Sequence, residues 1–266
     1  MTKNSTKATG VFRYKFANGQ TAHVLDVPAT FTYAKSLDAL GLTTPSPSMV
    51  VIGGASNMSQ ESRNRVAQLF TKVLAPIAEA YKITVFDGGT DAGVIQMMGQ
   101  ARRHIGGSFN LVGVAPKAKV KLPGHILNLA IDIKNRELTN LEEHHTHFAL
   151  IPGINWGNES PWLAHCAAIL AAQSPSITIL INGGKISLTD LRLNLSVGQP
   201  TIVIAGSGRL ADDIANTIHG IPPSDKSIIQ ELTASYYPSQ LSVFNLSKPL
   251  NLLSKQLQAH FNPKVI

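Results

Sequence analysis

Cysteine is almost missing from this chain of 266 residues: Cys166 is the single one, which excludes an intramolecular disulfide framework and fits a reducing compartment. Its setting, Leu163-Ala164-His165-Cys166-Ala167-Ala168, reads as a small apolar helix position. His165 is its neighbour in sequence, but adjacent residues on a helix do not face each other, which argues against a nucleophilic pair. Aromatic residues are sparse at 6%, and no block of Lys and Arg occurs. The net charge of +7 and pI near 9.5 therefore suit a small anionic ligand, and no nucleic-acid partner is expected. No apolar run approaches the ~20 residues that a membrane helix needs. The first ten residues, MTKNSTKATG, are polar and basic with no apolar stretch behind them. Neither a span nor a secretory signal is expected, and the expected location is cytoplasmic. The dinucleotide fingerprint GxGxxG is absent from the first glycine turn, which disfavours an ordinary NAD(P) dehydrogenase, and HExxH is absent throughout, which argues against a metal site of that kind.

What is present is a series of six short apolar runs with glycine turns at their ends: MVVIGGAS from Met49, ITVFDGGTDAGV from Ile83, LVGVAP from Leu111, HFALIPGINWGNES from His147, ITILINGG from Ile177 and TIVIAGSGRLAD from Thr201. Val- and Ile-rich runs without polar alternation are the pattern of strands buried on both faces. Most turns lead into helical periodicity; after the first, Val66, Leu69, Phe70, Val73, Leu74 and Ile77 recur at three- and four-residue spacing, with Pro76 expected to kink or shorten that helix. Strand alternating with helix predicts an α/β fold, a Rossmann-like doubly wound and mostly parallel sheet with right-handed crossovers. The order expected for the six strands is 3-2-1-4-5-6, with the ligand crevice between the first and fourth strand ends. In front, two alternating runs flank Asn18-Gly19 and predict an N-terminal β-hairpin appendage, followed by a short helix over 31–40. The expected organisation is 1–48 hairpin and linker, 49–221 ligand-binding domain, and 222–266 a C-terminal extension with a strand and a last helix packed on the same domain.

Phosphate binding at such an edge needs backbone N–H groups, a helix N-terminus and little side-chain bulk. Gly53-Gly54-Ala55 supplies this after the first strand, and Gly88-Gly89-Thr90 with Gly93 after the second. Gly206-Ser207-Gly208-Arg209 supplies it after the last and adds a guanidinium for a bidentate grip. Pro116 at the third strand end and Asn182-Gly183-Gly184 at the fifth complete the edge. The fourth end carries the most chemistry, in Gly153, Trp156, Gly157 and Glu159. Glu159 can accept hydrogen bonds from ribose hydroxyls or act as acid or base, or simply cap its helix. Trp156 can stack on a base or pack as an ordinary aromatic. His144, His145 and His147 lack the convergent Cys or carboxylate pattern of a metal site, and no metal is expected; instead, His145 or His147 is expected to point into the crevice.

These motifs in this order resemble the SLOG superfamily, most closely its prokaryotic branch (LSDAT) named for similarity to the N-terminal region of TRPM channels. The resemblance runs from about Met49 to His219 and is carried by VVIGGAS, DGGTDAGVIQMMGQAR, VGVAP, HTHFALIPGINWGNESPW, ILINGG and IVIAGSGRLADDIA. It implies a Rossmann-like sheet that binds a nucleotide-derived ligand such as ADP-ribose, cyclic ADP-ribose, NAD or an AMP-like molecule, and the frequent pairing of superfamily members raises a homo-oligomer as an expectation. The superfamily is also similar to the cytokinin-activating, lysine decarboxylase-like phosphoribohydrolases with GGGxxGLMG and PGGxGTxxE motifs. Gly88-Gly89-Thr90-Asp91-Ala92-Gly93 echoes the first, and Pro152-Gly153 with Gly157-Asn158-Glu159 echoes the second, with altered spacing and Asn in place of Thr. Arg136 lies where those enzymes carry a catalytic Arg, in a different local context. Two readings follow: a binding or sensor module, or a hydrolase of the N-glycosidic bond of a nucleoside monophosphate with Glu159 and Arg136 as catalytic groups.

Overall fold

The structure, a computed structural model, describes residues 10–42, 44–121, 138–221 and 227–262. Strands β1 (Val11–Lys15) and β2 (Thr21–Asp26) form the expected hairpin, with the Asn18 Oδ1 accepting the Gln20 N–H at 2.9 Å to close the turn. Helix α1 (Tyr33–Ala39) starts at Thr32, whose hydroxyl accepts the Lys35 N–H at 3.2 Å. After β3 (Ser48–Gly53), helix α2 (Gln60–Leu69) is capped by Ser59 and passes through a π turn (Phe70–Leu74) into α3 (Ala75–Ala80). Pro76 has no N–H to give to the preceding turn, and the wider π turn accommodates that gap without ending the helix.

The chain continues through β4 (Thr84–Asp87), α4 (Gly93–His104) and β5 (Leu111–Pro116). The third apolar run is the exception among the six, since it ends on Pro116 and a 3-10 turn (Lys117–Lys119) with no glycine. Strands β6 (Val120–Lys121) and β7 (Thr139–Asn140) make a small separate parallel pair. Then come β8 (His147–Ile151), α5 (Ser160–Ala171), β9 (Ser176–Ile181), α6 (Lys185–Ser196), β10 (Thr201–Ala205), α7 (Arg209–Ile218), α8 (Ser227–Tyr236), β11 (Leu241–Asn245) and α9 (Leu250–Phe261).

Nine strands form one sheet in the order β1-β2-β8-β5-β4-β3-β9-β10-β11, parallel everywhere except between β1 and β2. The α/β, Rossmann-like class is as expected, but the strand order is not. The six glycine-rich strands are arranged 4-3-2-1-5-6: the strand at His147 lies outside β5, and the strand beside β3 is β9. The winding therefore reverses between the first and fifth strands, and the expected crevice between the first and fourth ends is corrected accordingly. The hairpin is also more than an appendage, because β2 pairs in parallel with β8 and extends the sheet.

The pleat sorts the core. From β3, Met49 and Val51 point to the layer holding α2, α3, α4 and α9, while Val50 and Ile52 point to the layer holding α1, α5, α6, α7 and α8. Connections leaving β3 toward β5 use the first layer, and those leaving β8, β9 and β10 use the second, as right-handed crossovers in a doubly wound sheet require. Among the described residues no helix is long and apolar enough to cross a membrane.

Asn182, fully buried just past β9, fastens the edge. Its side-chain amide donates to the Ser207 carbonyl at 2.7 Å and the Ser56 carbonyl at 3.3 Å, and its Oδ1 accepts the Gly183 N–H at 2.8 Å. It holds a φ of +56°, which Asn tolerates better than most residues. One side chain thus ties together the turns after β3, β9 and β10. Asn182→Ala is expected to cost about 3 kcal/mol, from lost bonds, orphaned buried carbonyls and left-handed strain; urea unfolding checks this, and a change within error would contradict the role.

Candidate ligand-binding crevice

A cavity of about 480 Å³ opens at the C-terminal ends of β3 and β9, where the winding reverses. Of the residues singled out from sequence, it brings together Gly53, Gly54, Gly88, Thr90, Trp156, Glu159, Gly184 and Arg209. Trp156 and Glu159 come from the loop after β8, three positions from β3 in the sheet; the loop reaches the crevice because α5 crosses back to pack on the β3 side.

Glu159 stands at the N-cap position of α5, but its side chain makes no capping bond to the helix. Its Oε2 accepts the Gly157 N–H at 2.7 Å, and only 6% of the residue is exposed, at the cavity wall. Burial pushes its pKa up to about 7, against the N–H bonds that favour the anion, and the nearby Asp190 charge pushes it the same way. Asp190, from the middle of α6, lines the same cavity at 7% exposure, and its Oδ1 has no hydrogen-bond partner among the described residues. Burial raises its pKa to about 6, although the Ser160 hydroxyl works in the other direction. Two carboxyl groups with near-neutral pKa values thus share one cleft. Two cations share it as well: Lys185 and Arg209, both exposed, neither with an ion-pair partner among the described residues. Arg209 opens α7 at a φ of +52° and lies across Gly184, where a Cβ would come within 2.6 Å of Nη2. A Cβ at Gly184 would displace the far end of that flexible side chain, so the glycine leaves the guanidinium its place beside the turn.

The other predicted residues lie away from the cavity wall. Ala55 and Gly93 pack against each other, Gly89 packs on Gly113 and Phe148, Gly153 on Asn158, and Gly183 on Ser187. Pro116 is buried at the end of β5, and the Gly157 N–H serves Glu159. The Gly206 N–H binds Asp212, Ser207 bonds to the Ile204 carbonyl and the Asn182 N–H, and Gly208 adjoins the Asn182 amide. Arg136 falls outside the described residues. Cys166 is buried, and burial pushes its thiol up to about 12, far from a reactive thiolate.

The histidines do not enter the crevice. His145 is enclosed, with Nε2 2.8 Å from Asp87 Oδ1 and Nδ1 2.8 Å from Glu142 Oε2, and His144 Nδ1 lies 2.6 Å from Glu142 Oε1. Burial alone would lower the His145 pKa, but the two carboxylates hold it up at about 9, so the ring is a buried cation. Gly99 in α4 leaves the room this needs, since a Cβ there would lie 2.0 Å from Glu142 Oε2. Asp87 Oδ1 also accepts the Gly89 N–H, and Glu142 N–H donates to the Gly89 carbonyl at 3.0 Å, so the cluster shapes the Gly88-Gly89-Thr90 turn from behind. His147 faces His23, with ring centres 5.3 Å apart; burial first, then the His23 and Arg102 charges, lower it to about 4. Among the described residues no group of three or more His, Cys, Asp or Glu is placed to hold a metal.

The family described as SLOG in TRPM, prokaryote, matches residues 46–252. The chain belongs to that family. The transient receptor potential cation channel subfamily M member 2 of Mus musculus and that of Rattus norvegicus are each 25% identical over 248 aligned positions, covering 82% of this chain and 16% of the channel. This SLOG chain therefore spans only that 16% of the channels it matches. Among solved structures, the molybdenum cofactor binding protein from the phototrophic bacterium Rippkaea orientalis superposes with a TM-score of 0.49 at 14% identity, over 82% of this chain and 98% of that one.

Sequence reasoning on this SLOG domain missed Asp190 and Lys185. Asp190 sits mid-helix with no local motif, but a signal existed: Ser187, Asp190, Leu191, Asn194 and Leu195 share the buried face of α6, so an acid occupies a core stripe. Thr139, Ser187 and Ile95 complete polar and apolar parts of the wall.

The buried acids make a stability prediction. Folded pKa values above the unfolded ones mean that unfolding releases protons, so stability falls as pH rises from about 4.5 to about 7 for Glu159 and from about 3.8 to about 6 for Asp190. His145, raised from 6.5 to about 9, contributes stability that is complete below pH 6.5 and lost as pH rises through 9. Glu159→Gln, which keeps an acceptor for Gly157, is expected to raise stability at pH 8 by about 1–2 kcal/mol. Thermal melts from pH 5 to 9 check both statements; destabilisation by the amide would show that the carboxylate serves the fold.

Proposed function

We propose that this domain binds a nucleotide-derived ligand of the ADP-ribose or cyclic-nucleotide kind at the crevice between β3 and β9. The observation that carries the reading is the joint placement, on one glycine-walled cavity, of two buried carboxyls and two cations with no ion-pair partner among the described residues. Arg209 and Lys185 supply charge for phosphate, and the start of α6 behind Gly184 supplies backbone N–H groups. Glu159 and Asp190 suit ribose hydroxyls, which both donate and accept hydrogen bonds. Their raised pKa values serve this purpose, because a carboxyl that holds its proton near neutrality does not repel an incoming phosphate. Relatives at 25% identity are members of a cation channel family, and a sensing role for the same module in this chain is consistent with the reading.

Calorimetry with ADP-ribose, cyclic ADP-ribose, NAD and AMP tests it; no binding to any of them at millimolar ligand would sink it. Arg209→Ala is expected to weaken binding at least tenfold while leaving the fold intact. A bound anion favours the protonated carboxyls, so affinity is expected to fall as pH rises through 6 to 8, and Glu159→Gln is expected to flatten that profile. A flat wild-type profile would separate the carboxyls from the ligand.

A second reading is favoured by one feature, the Glu159 pKa near neutrality. A carboxylate poised there can activate water, or stabilise the oxocarbenium that forms as an N-glycosidic bond of a nucleoside monophosphate breaks. Release of free base from AMP, abolished by Glu159→Gln, would support hydrolysis over binding alone.

A further inference from the structure

Among the described residues, α5 (Ser160–Ala171) is the one α-helix without a charged side chain. No Asp, Glu, Lys or Arg occurs between Glu159 and Lys185, whereas every other described α-helix holds at least one. A surface helix turns charged residues to water on the side away from the core, and a helix that is apolar all round is buried all round. Within one chain α5 is buried on three sides only, against the sheet and between α1 and α6, through residues such as Leu163, Cys166 and Leu170. Pro161, Trp162, His165, Ala168 and Ile169 make the remaining face, half-buried or open, with Ile169 at 36% exposure. On one flank the Tyr33 ring of α1 lies flat on His165, with ring centres 4.7 Å apart, and edge-on to Trp162 at 4.8 Å. Charge returns beyond the flanks, at Lys35 and Asp38 on α1 and at Lys185 and Arg192 on α6, all exposed. An uncharged centre with aromatic rings inside a charged rim is how the surfaces through which proteins associate are built.

We infer that a second copy of this chain docks on that face, with α5 crossing α5 of the second copy about a two-fold axis. The chemistry selects this occupant. Nucleic acid needs cations on the surface it meets, and a helix that lies on a membrane carries Lys or Arg beside its apolar side; the α5 face has neither. Two chains that each carry a net charge of +7 repel one another, and they approach at least cost where no charge is present. The face is also self-complementary in size. An antiparallel crossing near the middle of α5 sets His165 over Ala168 of the second copy and Pro161 over Ala172 of the second copy, large against small at both places. The two-fold axis makes each of these pairings twice.

Sedimentation velocity on the full chain tests this. The unaltered chain is expected to dimerise at micromolar concentration. Ile169→Glu places like charges on both copies at a site already open to water, and is expected to weaken dimerisation at least tenfold with an unchanged circular dichroism spectrum. Ala168→Cys supplies a positive readout, since the native Cys166 is buried. With a short bismaleimide it is expected to give a covalent dimer at least tenfold faster than Gln68→Cys, an exposed position on α2. A chain that stays monomeric at the highest soluble concentration overturns the inference, as does a dimer that Ile169→Glu leaves intact, or cross-linking no faster at 168 than at 68. A monomer that floats with neutral phospholipid vesicles, and loses that binding in Ile169→Glu, overturns it in favour of a lipid surface. Neither substituted side chain lines the crevice, so a failure to bind any nucleotide leaves this inference standing.

Discussion

Between β3 and β9 the chain reverses its winding, and the two neighbouring strands hand their connections to opposite faces of the sheet. No helix can close the gap between connections that diverge in this way, so the strand ends stay open to a ligand. Everything at this edge depends on that divergence being held at one fixed width. Asn182 holds it, by fastening the turns after β3, β9 and β10 to one another with a single buried amide. On the far side the Asp87–His145–Glu142 cluster fixes the turn after β4 from behind. The crevice walls are thereby set by buried hydrogen bonds that do not themselves touch the cavity, an arrangement suited to a site that must be rigid before its ligand arrives.

The cavity combines groups that would be costly to bury without a purpose. Among the described residues, one buried oxygen of Asp190 has no hydrogen-bond partner, and Glu159 is pushed toward neutrality by burial in a cleft where Arg209 has no ion-pair partner. Those acids and cations do not neutralise each other as ion pairs. Arg209 adds left-handed backbone strain at the same place. Strain and unsatisfied polarity gathered at one sheet edge point to ligand chemistry as their compensation.

Local features were legible in the sequence and long-range ones were not. Strand and helix positions followed from apolar runs and helical spacing, and the glycines at 53, 54, 88 and 184 were recognisable as cavity wall because a turn beside a buried strand is a local pattern. Glu159 was legible for the same reason, as an acid opening a helix. The strand order was misjudged because pairing between β3 and β9 joins segments some 130 residues apart, and nothing local encodes which of two similar strands will be the neighbour. His145 looked like a crevice residue because alternation gives a side of a strand, not the partners waiting there; Asp87 and Glu142 were the partners. Asp190 went unseen because its meaning lies in the burial of one helix face.

Backbone amide mapping by NMR during titration with ADP-ribose tests the central claim most directly. The account predicts saturable shifts concentrated at 53–54, 88–92, 156–159, 184–190 and 209, with the amides around His23 and His147 unmoved. Shifts centred on the β2–β8 edge, or spread evenly over the surface, would contradict it.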